Sequence, residues 1–181
     1  MVEDWQTEMG MKIESSRLMI RSFLKDDASD LYEILGDDET MALCEPAYTF
    51  ERTKKFLEEF CIGRNGALAA VHQQTGKVIG YILFSELEED VYELGWFFNK
   101  AYWRQGYAYE SCREVIDYAF CELKARKIFA ETIDGVKSVS LMKKLGMQLE
   151  GIEQTKDCEG RRADLYVYGL QKDTYEKSQS L

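Results

Sequence analysis

The sequence of 181 residues contains one proline, one histidine and no CxxC pair among its five cysteines. The histidine, His72, lies well before any recognisable motif and is predicted to be a surface residue. Neither a histidine-dependent catalytic triad nor a multi-histidine metal site is therefore expected. The odd number of cysteines argues against a secreted disulfide framework. We expect a protein without a metal cofactor.

Long apolar runs and clusters of basic residues are missing as well. No stretch has the length and apolar character of a membrane span, and the N-terminal residues do not resemble a secretory signal. These absences predict a cytoplasmic protein without a membrane partner. The formal net charge of −10 argues against a nucleic-acid partner, because phosphate neutralisation needs clustered Lys and Arg. An acidic surface would suit a cationic substrate, although it is also typical of ordinary solubility.

The length and a hydrophobic content of 45% predict a single domain over residues 1–181 with a sizeable core. The polar segment 172–181 is expected to fray. Apolar periodicity predicts an α+β protein whose hairpins surround one strand-helix-strand unit. The predicted strands are 17–23, 67–73, 77–86, 90–98, 127–133, 147–155 and 161–170, and the predicted helices are 26–36, 49–61, 106–123 and 137–145.

Residues 103–108, with the sequence WRQGYA, join the predicted strand over 90–98 to an amphipathic helix. The first amides of such a helix have no intrahelical partner, and together with the helix dipole they favour an anion. Gly106 permits close approach of a ligand, and Ala108 keeps that approach open. The segment lacks the three glycines of a dinucleotide fingerprint and the ending of a Walker loop. From these residues alone, a phosphate site and an ordinary strand-to-helix turn both remain open.

The same segment resembles the acyl-CoA pyrophosphate loop of the GCN5-related N-acetyltransferases (GNAT). The family pattern is Gln or Arg, two residues, Gly, one residue, then Gly or Ala. Gly106 and Ala108 match it, whereas Trp103 stands at its first position. This departure is common in the ribosomal-protein N-terminal acetyltransferase branch, which the chain resembles most. The resemblance covers nearly the whole chain and extends to residues 17–21, 26–34, 76–82, 93–96, 138–147 and 160–168.

The resemblance implies a mixed, mostly antiparallel sheet of six to seven strands, with a splayed fourth and fifth strand and about four helices. It implies direct transfer of an acetyl group from acetyl-CoA to a primary amine, which could be a protein N-terminus or a small molecule. The pyrophosphate is expected on the backbone of Arg104, Gln105, Gly106, Tyr107 and Ala108. Backbone amides near Trp96, Phe97 and Phe98 are expected to contact the pantetheine and to polarise the thioester carbonyl.

Proton transfer is expected to involve two side chains. An α-amine has a pKa of about 8 and a lysine amine one of about 10.4, so a base or a water chain must take a proton at neutral pH. Acidic residues on the fourth strand often serve in the family that the chain resembles, so the resemblance makes Glu93 the first candidate for that base. Glu86 is the second, and Glu93 could equally be a solvated carboxylate. Ser138 stands where the terminal-amine-acetylating branch has a serine, so the resemblance makes it the candidate donor to the coenzyme sulfur; it could also serve as a helix N-cap.

Two positions depart from the family pattern in the second acetyl-CoA segment. Met142 stands where many members have a proton-donating tyrosine, and Gly135 stands where the branch has an asparagine. These departures leave open an acyl-CoA-binding module without turnover. A third possibility is a non-catalytic partner-binding protein that uses the aromatic residues Trp5, Tyr48 and Tyr175. The chain could be a monomer or a homodimer.

Overall fold

The computed structural model describes residues 10–180, in which eight strands form one sheet. The strands are β1 (Lys12–Glu14), β2 (Leu18–Ser22), β3 (Ala67–His72), β4 (Val78–Glu88), β5 (Val91–Phe98), β6 (Lys127–Thr132), β7 (Gln148–Lys156) and β8 (Arg162–Gln171). Their order across the sheet is β1-β2-β3-β4-β5-β6-β8-β7. Every neighbouring pair is antiparallel except β5 and β6, which are parallel and are joined by the longest helix.

Residues 10–180 also form six α-helices. They are α1 (Ala28–Leu35), α2 (Asp38–Met41), α3 (Phe50–Phe56), α4 (Tyr107–Cys121), α5 (Lys137–Lys144) and α6 (Lys172–Gln179). Helix α3 continues as a π-helical segment, Leu57–Ile62. None of the helices within residues 10–180 combines the length and the apolar character needed to cross a bilayer.

The sheet has a separate apolar core on each face. On one face, residues of α4 to α6 such as Val115, Val139 and Tyr175 belong to the same cluster as Leu94 and Ile128 of the sheet. On the other face, residues of α1 and of the segment after α3 pack with alternate residues of β3 and β4. Because side chains alternate along a strand, successive residues of β5 face different cores, and one strand serves both layers.

Strands β5 and β6 stay together for only a short distance. Their parallel register pairs Val91 with Lys127 and ends where Glu93 pairs with Phe129. Beyond that point β5 remains paired with β4 as far as Phe98, and β6 remains paired with β8 as far as Thr132. We call the resulting gap between the ends of β5 and β6 the wedge. It is the strand separation that the family resemblance implies.

The α+β fold with a mostly antiparallel mixed sheet is confirmed, but the predicted element counts were too low. The strand β1 was missed because its three residues have no apolar alternation of their own and pair only with β2. The helix α2 was missed because it has four residues. It begins at a local cap, where the amide of Thr40 donates to the Asp37 carboxylate at 2.9 Å.

The prediction of a frayed tail over 172–181 was wrong, because helix α6 occupies most of it. Tyr175 holds the helix in place: its ring stacks on Phe120 at 4.6 Å, and its hydroxyl donates to Asp117 at 2.6 Å. Tyr48 and Tyr175 are 7% and 8% exposed, so they offer no aromatic docking surface. Trp5 lies outside the described residues.

Candidate active site

The start of α4 presents a row of unused amide donors. The backbone N–H groups of residues 104–109 donate to no other group between residues 10 and 180, and no side chain caps the helix. The first backbone hydrogen bond of the helix runs from the amide of Glu110 to the carbonyl of Gly106 at 3.0 Å. Six consecutive free donors at the positive end of a helix dipole can bind a diphosphate.

Gly106 gives this loop its shape. Its φ of +84° lies in the left-handed region, and Arg104 two residues earlier has a φ of +59°. A Cβ built on Gly106 would have one neighbour within 4 Å, the Nη2 atom of Arg17 at 3.4 Å. The backbone conformation therefore favours glycine here, whereas crowding within the protein does not require it, and the space above Gly106 stays open.

Two side chains brace the turn between β5 and α4. The Oδ1 atom of Asn99 accepts a hydrogen bond from the amide of Ala101 at 3.0 Å, which starts the turn after β5. The indole nitrogen of Trp103 donates to the carbonyl of Phe98 at 2.7 Å. Trp103 thus ties the loop to the last residue of β5, which gives the departure from the usual Gln or Arg a structural role.

Arg17 and Glu110 form a clamp beside the loop that sequence reasoning missed. The Nε atom of Arg17 donates to Glu110 at 2.7 Å, its Nη1 atom donates to the carbonyl of Gln105 at 2.9 Å, and its guanidinium lies 4.1 Å from the ring centroid of Tyr107. The Glu110 carboxylate also accepts from the hydroxyl of Ser15 at 2.7 Å. The clamp places the guanidinium of Arg17 beside the loop, in addition to the side chain of Arg104 and the free backbone amides.

The pKa of Glu110 is held below its ordinary value. Burial opposes ionisation, but the hydrogen bonds from Ser15 and Arg17 outweigh it. A carboxyl group with a lowered pKa in the folded state stabilises the protein at pH values above its unfolded pKa. That stabilisation is lost as the pH falls through the folded pKa. The clamp should therefore weaken only under acidic conditions.

We expect Glu110→Gln to lower the free energy of unfolding by about 2 kcal/mol at neutral pH, because charge-assisted hydrogen bonds to Arg17 and Ser15 are lost. Urea unfolding at neutral pH measures the change. The matched control is Glu114→Gln, one turn further along α4. A stability equal to that of the unmodified protein in both variants would show that the clamp is dispensable.

His72 is not the free surface residue that the sequence predicts. It is half-buried at the end of β3, where its ring lies 5.7 Å from that of Tyr107 and 5.9 Å from that of Tyr102. Its Nδ1 atom lies 3.1 Å from the hydroxyl of Thr75. Because Tyr107 is the first residue of α4, the ring of His72 packs against the end of the loop. The position of His72 in a hairpin of the sequence does not predict this contact.

The three predicted residues at the end of β5 lie along one side of the wedge. Trp96 packs against the core beneath α4 and Phe97 against the opposite core. Phe98 is 6% exposed and ends the pairing of β5 with β4. Since β6 has separated from β5 here, no strand within residues 10–180 pairs with this stretch on its wedge side.

Glu93 occupies the point where the wedge opens. It is half-buried and lies on the same face of β5 as Phe97. Burial raises the pKa of the Glu93 carboxyl, and the nearby charge of Glu131 raises it further. The second candidate base, Glu86, pairs with Tyr92, is exposed on the other face of the sheet, and accepts a hydrogen bond from the amide of Asp90 at 2.9 Å. Glu86 and Glu93 therefore lie on opposite faces of the sheet.

Ser138 is not the N-cap of α5. The helix begins at Lys137, and the Asp134 carboxylate caps it by accepting from the amides of Val136 and Lys137 at 3.0 Å each. Burial opposes ionisation of Asp134, but these bonds and those from Ser138 lower its pKa. The hydroxyl of Ser138 also contacts the Asp134 carboxylate, at 3.4 Å. The sequence interpretation of Ser138 as a cap was wrong because Asp134 fills that role.

The two departures from the family pattern have structural explanations. A Cβ on Gly135 would lie 3.1 Å from the hydroxyl oxygen of Tyr166, so Tyr166 occupies the room that a larger side chain would need. Met142 is 1% exposed and belongs to the core beneath α4 and α5. Neither position therefore offers a polar group in place of the usual side chain.

The face of the sheet that carries Glu93 and Phe97 is bordered by two segments distant in sequence. The thiol of Cys158, in the hairpin between β7 and β8, donates to the carbonyl of Ala42 at 3.4 Å. Ala42 immediately follows α2. The contact joins that hairpin to the segment before α3. Within residues 10–180, no group of three or more His, Cys, Asp or Glu side chains is placed to hold a metal ion.

Comparison with known proteins identifies the class. A sequence profile described as "Acetyltransferase (GNAT) domain" matches residues 17–148. The N-acetyltransferase YnaD of Bacillus subtilis (strain 168) is 32% identical over 169 residues, which cover 91% of this chain and 99% of that protein.

Solved structures share the fold. A GNAT-family acetyltransferase from Bacillus anthracis has a TM-score of 0.83 and 28% identity, covering 90% of this chain and 99% of that one. The spermidine N-acetyltransferase of Vibrio cholerae, solved with CoA and spermine, has a TM-score of 0.77 and 19% identity, covering 89% and 99%. The fold and these relatives define an acyltransferase enzyme. The chain belongs to the GNAT acetyltransferase family, as its sequence predicted.

Proposed function

We propose that this protein transfers the acetyl group of acetyl-CoA to a primary amine by direct attack of the amine on the thioester. The observation that carries the proposal is the row of six free amides at 104–109, which lies at the end of the strand that forms one side of the wedge. A diphosphate fits the amides, and the wedge leaves unpaired main-chain groups for an extended polar chain.

The binding roles follow from this arrangement. The backbone of Arg104, Gln105, Gly106, Tyr107 and Ala108 would hold the pyrophosphate, with Arg17 close by. The main chain near Trp96, Phe97 and Phe98 would hydrogen-bond the pantetheine and polarise the thioester carbonyl. Fixed backbone donors are effective there because they need no reorganisation as charge develops on the oxygen.

Proton transfer balances the reaction. The amine is mostly protonated at neutral pH, so its nitrogen loses one proton before it can attack and another as the nitrogen–carbon bond forms and the carbon–sulfur bond breaks, while the sulfur gains one. Glu93 would accept the first proton, directly or through water, and its raised pKa makes it a stronger base than an ordinary glutamate. Ser138 would donate the proton that the sulfur gains, for which its hydroxyl must turn from Asp134, and would regain a proton from solvent.

The relative from Vibrio cholerae supports the donor and the type of acceptor. That protein is a spermidine N-acetyltransferase solved with CoA and spermine. A CoA thioester as donor and an amine as acceptor are consistent with the loop and the carboxylates of this chain. The net charge of −10 also favours a cationic acceptor over an anionic one.

A second candidate function is acyl-CoA binding without turnover. It is favoured by Met142, which is buried and cannot donate a proton, and by Gly135, which lacks the side chain of the usual asparagine and lies tight against Tyr166. In that case the free amides would still bind the donor, but no proton would reach the sulfur.

Release of free CoA thiol separates the two functions. The protein is incubated with acetyl-CoA and a panel of amines that contains short peptides, alkylamines, diamines and an amino sugar. Thiol release that depends on an amine, with an acetylated product identified by mass spectrometry, is the expected result. Binding of acetyl-CoA without release would favour the second function, and no binding would contradict both.

A further inference from the structure

Arg17 has one guanidinium nitrogen that the fold does not use. Its Nε atom donates to the Glu110 carboxylate at 2.7 Å, and its Nη1 atom donates to the carbonyl of Gln105 at 2.9 Å. The Nη2 atom donates to no group between residues 10 and 180. A Cβ built on Gly106 would lie 3.4 Å from that atom. The spare nitrogen therefore lies beside the open space above Gly106, next to the free amides of the loop.

The orientation of the guanidinium is fixed by its neighbours. The two hydrogen bonds hold the group in its plane, and its central carbon lies 4.1 Å from the ring centroid of Tyr107. That ring is held in turn by the edge-on contact with His72 at 5.7 Å. A side chain that is already ordered loses little conformational freedom when a ligand binds. Arg17 is therefore preorganised for a contact on the loop side.

The cation of this ion pair is the member that a ligand would meet. The side chain of Arg17 is 40% exposed and that of Glu110 is 14% exposed. The Glu110 carboxylate also accepts from the hydroxyls of Ser15 and Ser16 at 2.7 and 3.2 Å, and from the amide of Arg17 at 2.9 Å. The carboxylate oxygens are thus occupied within the protein, whereas Nη2 keeps its N–H groups for a ligand.

We propose that Arg17 is a diphosphate-binding residue of the donor site and that Glu110 is the positioning residue that holds it there. Nη2 would donate to a phosphate oxygen while the amides of residues 104–109 bind the rest of the diphosphate. Arginine forms charge-assisted hydrogen bonds with phosphate, and it adds a full charge to a set of neutral backbone donors. The inference rests on the proposed acetyl transfer and specifies how the protein binds its donor.

The first test compares Arg17→Gln with Arg21→Gln. Arg21 lies on β2 and forms a comparable ion pair, with two hydrogen bonds to Asp27 at 2.8 and 2.9 Å. Arg17→Gln should lower the affinity for acetyl-CoA about tenfold or more, the usual loss for a charged hydrogen-bonded contact. Arg21→Gln should lose stability and keep the affinity of the unmodified protein. Calorimetric titration measures the affinity, and urea unfolding measures the stability.

Glu110→Gln separates a direct contact from mere support of the loop. It breaks the same ion pair as Arg17→Gln but leaves the guanidinium near the ligand, so we expect a smaller loss of affinity. The affinity of the unmodified protein and of Glu110→Gln should also fall more steeply with added salt than that of Arg17→Gln, because salt screens the attraction between exposed charges. A purely supporting role would give both variants the same loss and the same salt dependence.

Arg17→Lys tests the spare donor while the ion pair with Glu110 is kept. Lysine has no planar fork, so one nitrogen cannot hold the Glu110 carboxylate and the Gln105 carbonyl and also present a further donor over Gly106. We expect stability close to that of the unmodified protein and an affinity for acetyl-CoA between those of the unmodified protein and Arg17→Gln. This variant also carries the test if Arg17→Gln does not fold.

A third ligand shows which phosphate Arg17 contacts, since CoA has a 3′-phosphate on its ribose as well as the diphosphate. The loss of affinity in Arg17→Gln should be the same for 3′-dephospho-acetyl-CoA as for acetyl-CoA, because both contain the diphosphate. A loss seen with acetyl-CoA alone would assign the contact to the 3′-phosphate and overturn the inference.

The inference is also overturned if Arg17→Gln and Arg17→Lys bind acetyl-CoA as tightly as the unmodified protein, if Arg21→Gln loses affinity equally, or if Glu110→Gln matches Arg17→Gln in affinity and salt dependence. These outcomes differ from failure of the proposed function. In each of them the unmodified protein still binds acetyl-CoA, and the proposed transfer stands. If the unmodified protein does not bind acetyl-CoA, the proposed function itself is wrong.

Discussion

Gly106→Val is expected to weaken acetyl-CoA binding by about a hundredfold or more while leaving the fold intact. At a φ of +84°, a β-branched residue is strained by about 1–2 kcal/mol, so the loop would relax and turn its amides away. Losing two charge-assisted hydrogen bonds costs about 3–6 kcal/mol, and a hundredfold loss of affinity corresponds to about 2.8 kcal/mol. Calorimetric titration with acetyl-CoA measures the change.

The control for this variant is Gly76→Val. Gly76 lies in the hairpin between β3 and β4, has a φ of +70°, and has nothing within 4 Å of a built Cβ. The substitution brings the same type of backbone strain at a distance from the α4 loop. We expect a similar loss of stability in both variants and a loss of affinity only in Gly106→Val. Equal affinity in Gly106→Val and the unmodified protein would refute the role of the loop.

Glu93→Gln is expected to lower kcat by roughly a hundredfold or more, the usual contribution of a general base, with little change in the affinity for acetyl-CoA. Glutamine has nearly the same shape but cannot accept a proton. Glu86→Gln, which alters a carboxylate on the other face of the sheet, is the matched control and should retain full activity. A normal kcat in Glu93→Gln would leave Glu93 as a solvated carboxylate.

The pH dependence of the unmodified protein gives a further check on Glu93. A base acts when it is deprotonated, so activity should fall as the pH falls through the pKa of Glu93. Burial and Glu131 raise that pKa, and the loss should therefore begin at a higher pH than an ordinary glutamate would give. The limb should be absent from the residual activity of Glu93→Gln.

Long elements with clear periodicity were predictable from the sequence. The spacing of Cys112, Val115, Ile116, Ala119 and Phe120 predicts a helix with one apolar face, and these residues are buried in α4. The short elements were not predictable, because β1 and α2 carry too few residues to show a period. The sequence of helix α6 is polar and therefore looked like a frayed tail. One tyrosine and its partners on α4 hold the helix in place, and the sequence does not show those contacts.

The candidate site was predictable only where it lies within one segment. The loop at 103–108 shows its glycine and its following helix in a single stretch of sequence. Arg17 and Glu110 are far apart in sequence, and nothing in either segment indicates that they meet. Asp134 caps α5 from three residues before the helix begins. From the sequence alone, Ser138 looked like the cap because it precedes the apolar positions of the helix. The contact between Arg17 and Glu110 depends on how α4 packs on the sheet, whereas the cap by Asp134 is a local turn that the apolar pattern of α5 does not show.

Thermal unfolding with acetyl-CoA tests most directly whether this chain binds a CoA thioester at the α4 loop. At about 100 times the dissociation constant, a ligand that binds only the folded state adds about 2.7 kcal/mol. That corresponds to a rise in Tm of roughly 5 to 10 °C for a chain of this size. We expect this shift with acetyl-CoA and none with pantetheine, which lacks the pyrophosphate. The absence of a shift with acetyl-CoA would contradict the proposed function at its first step.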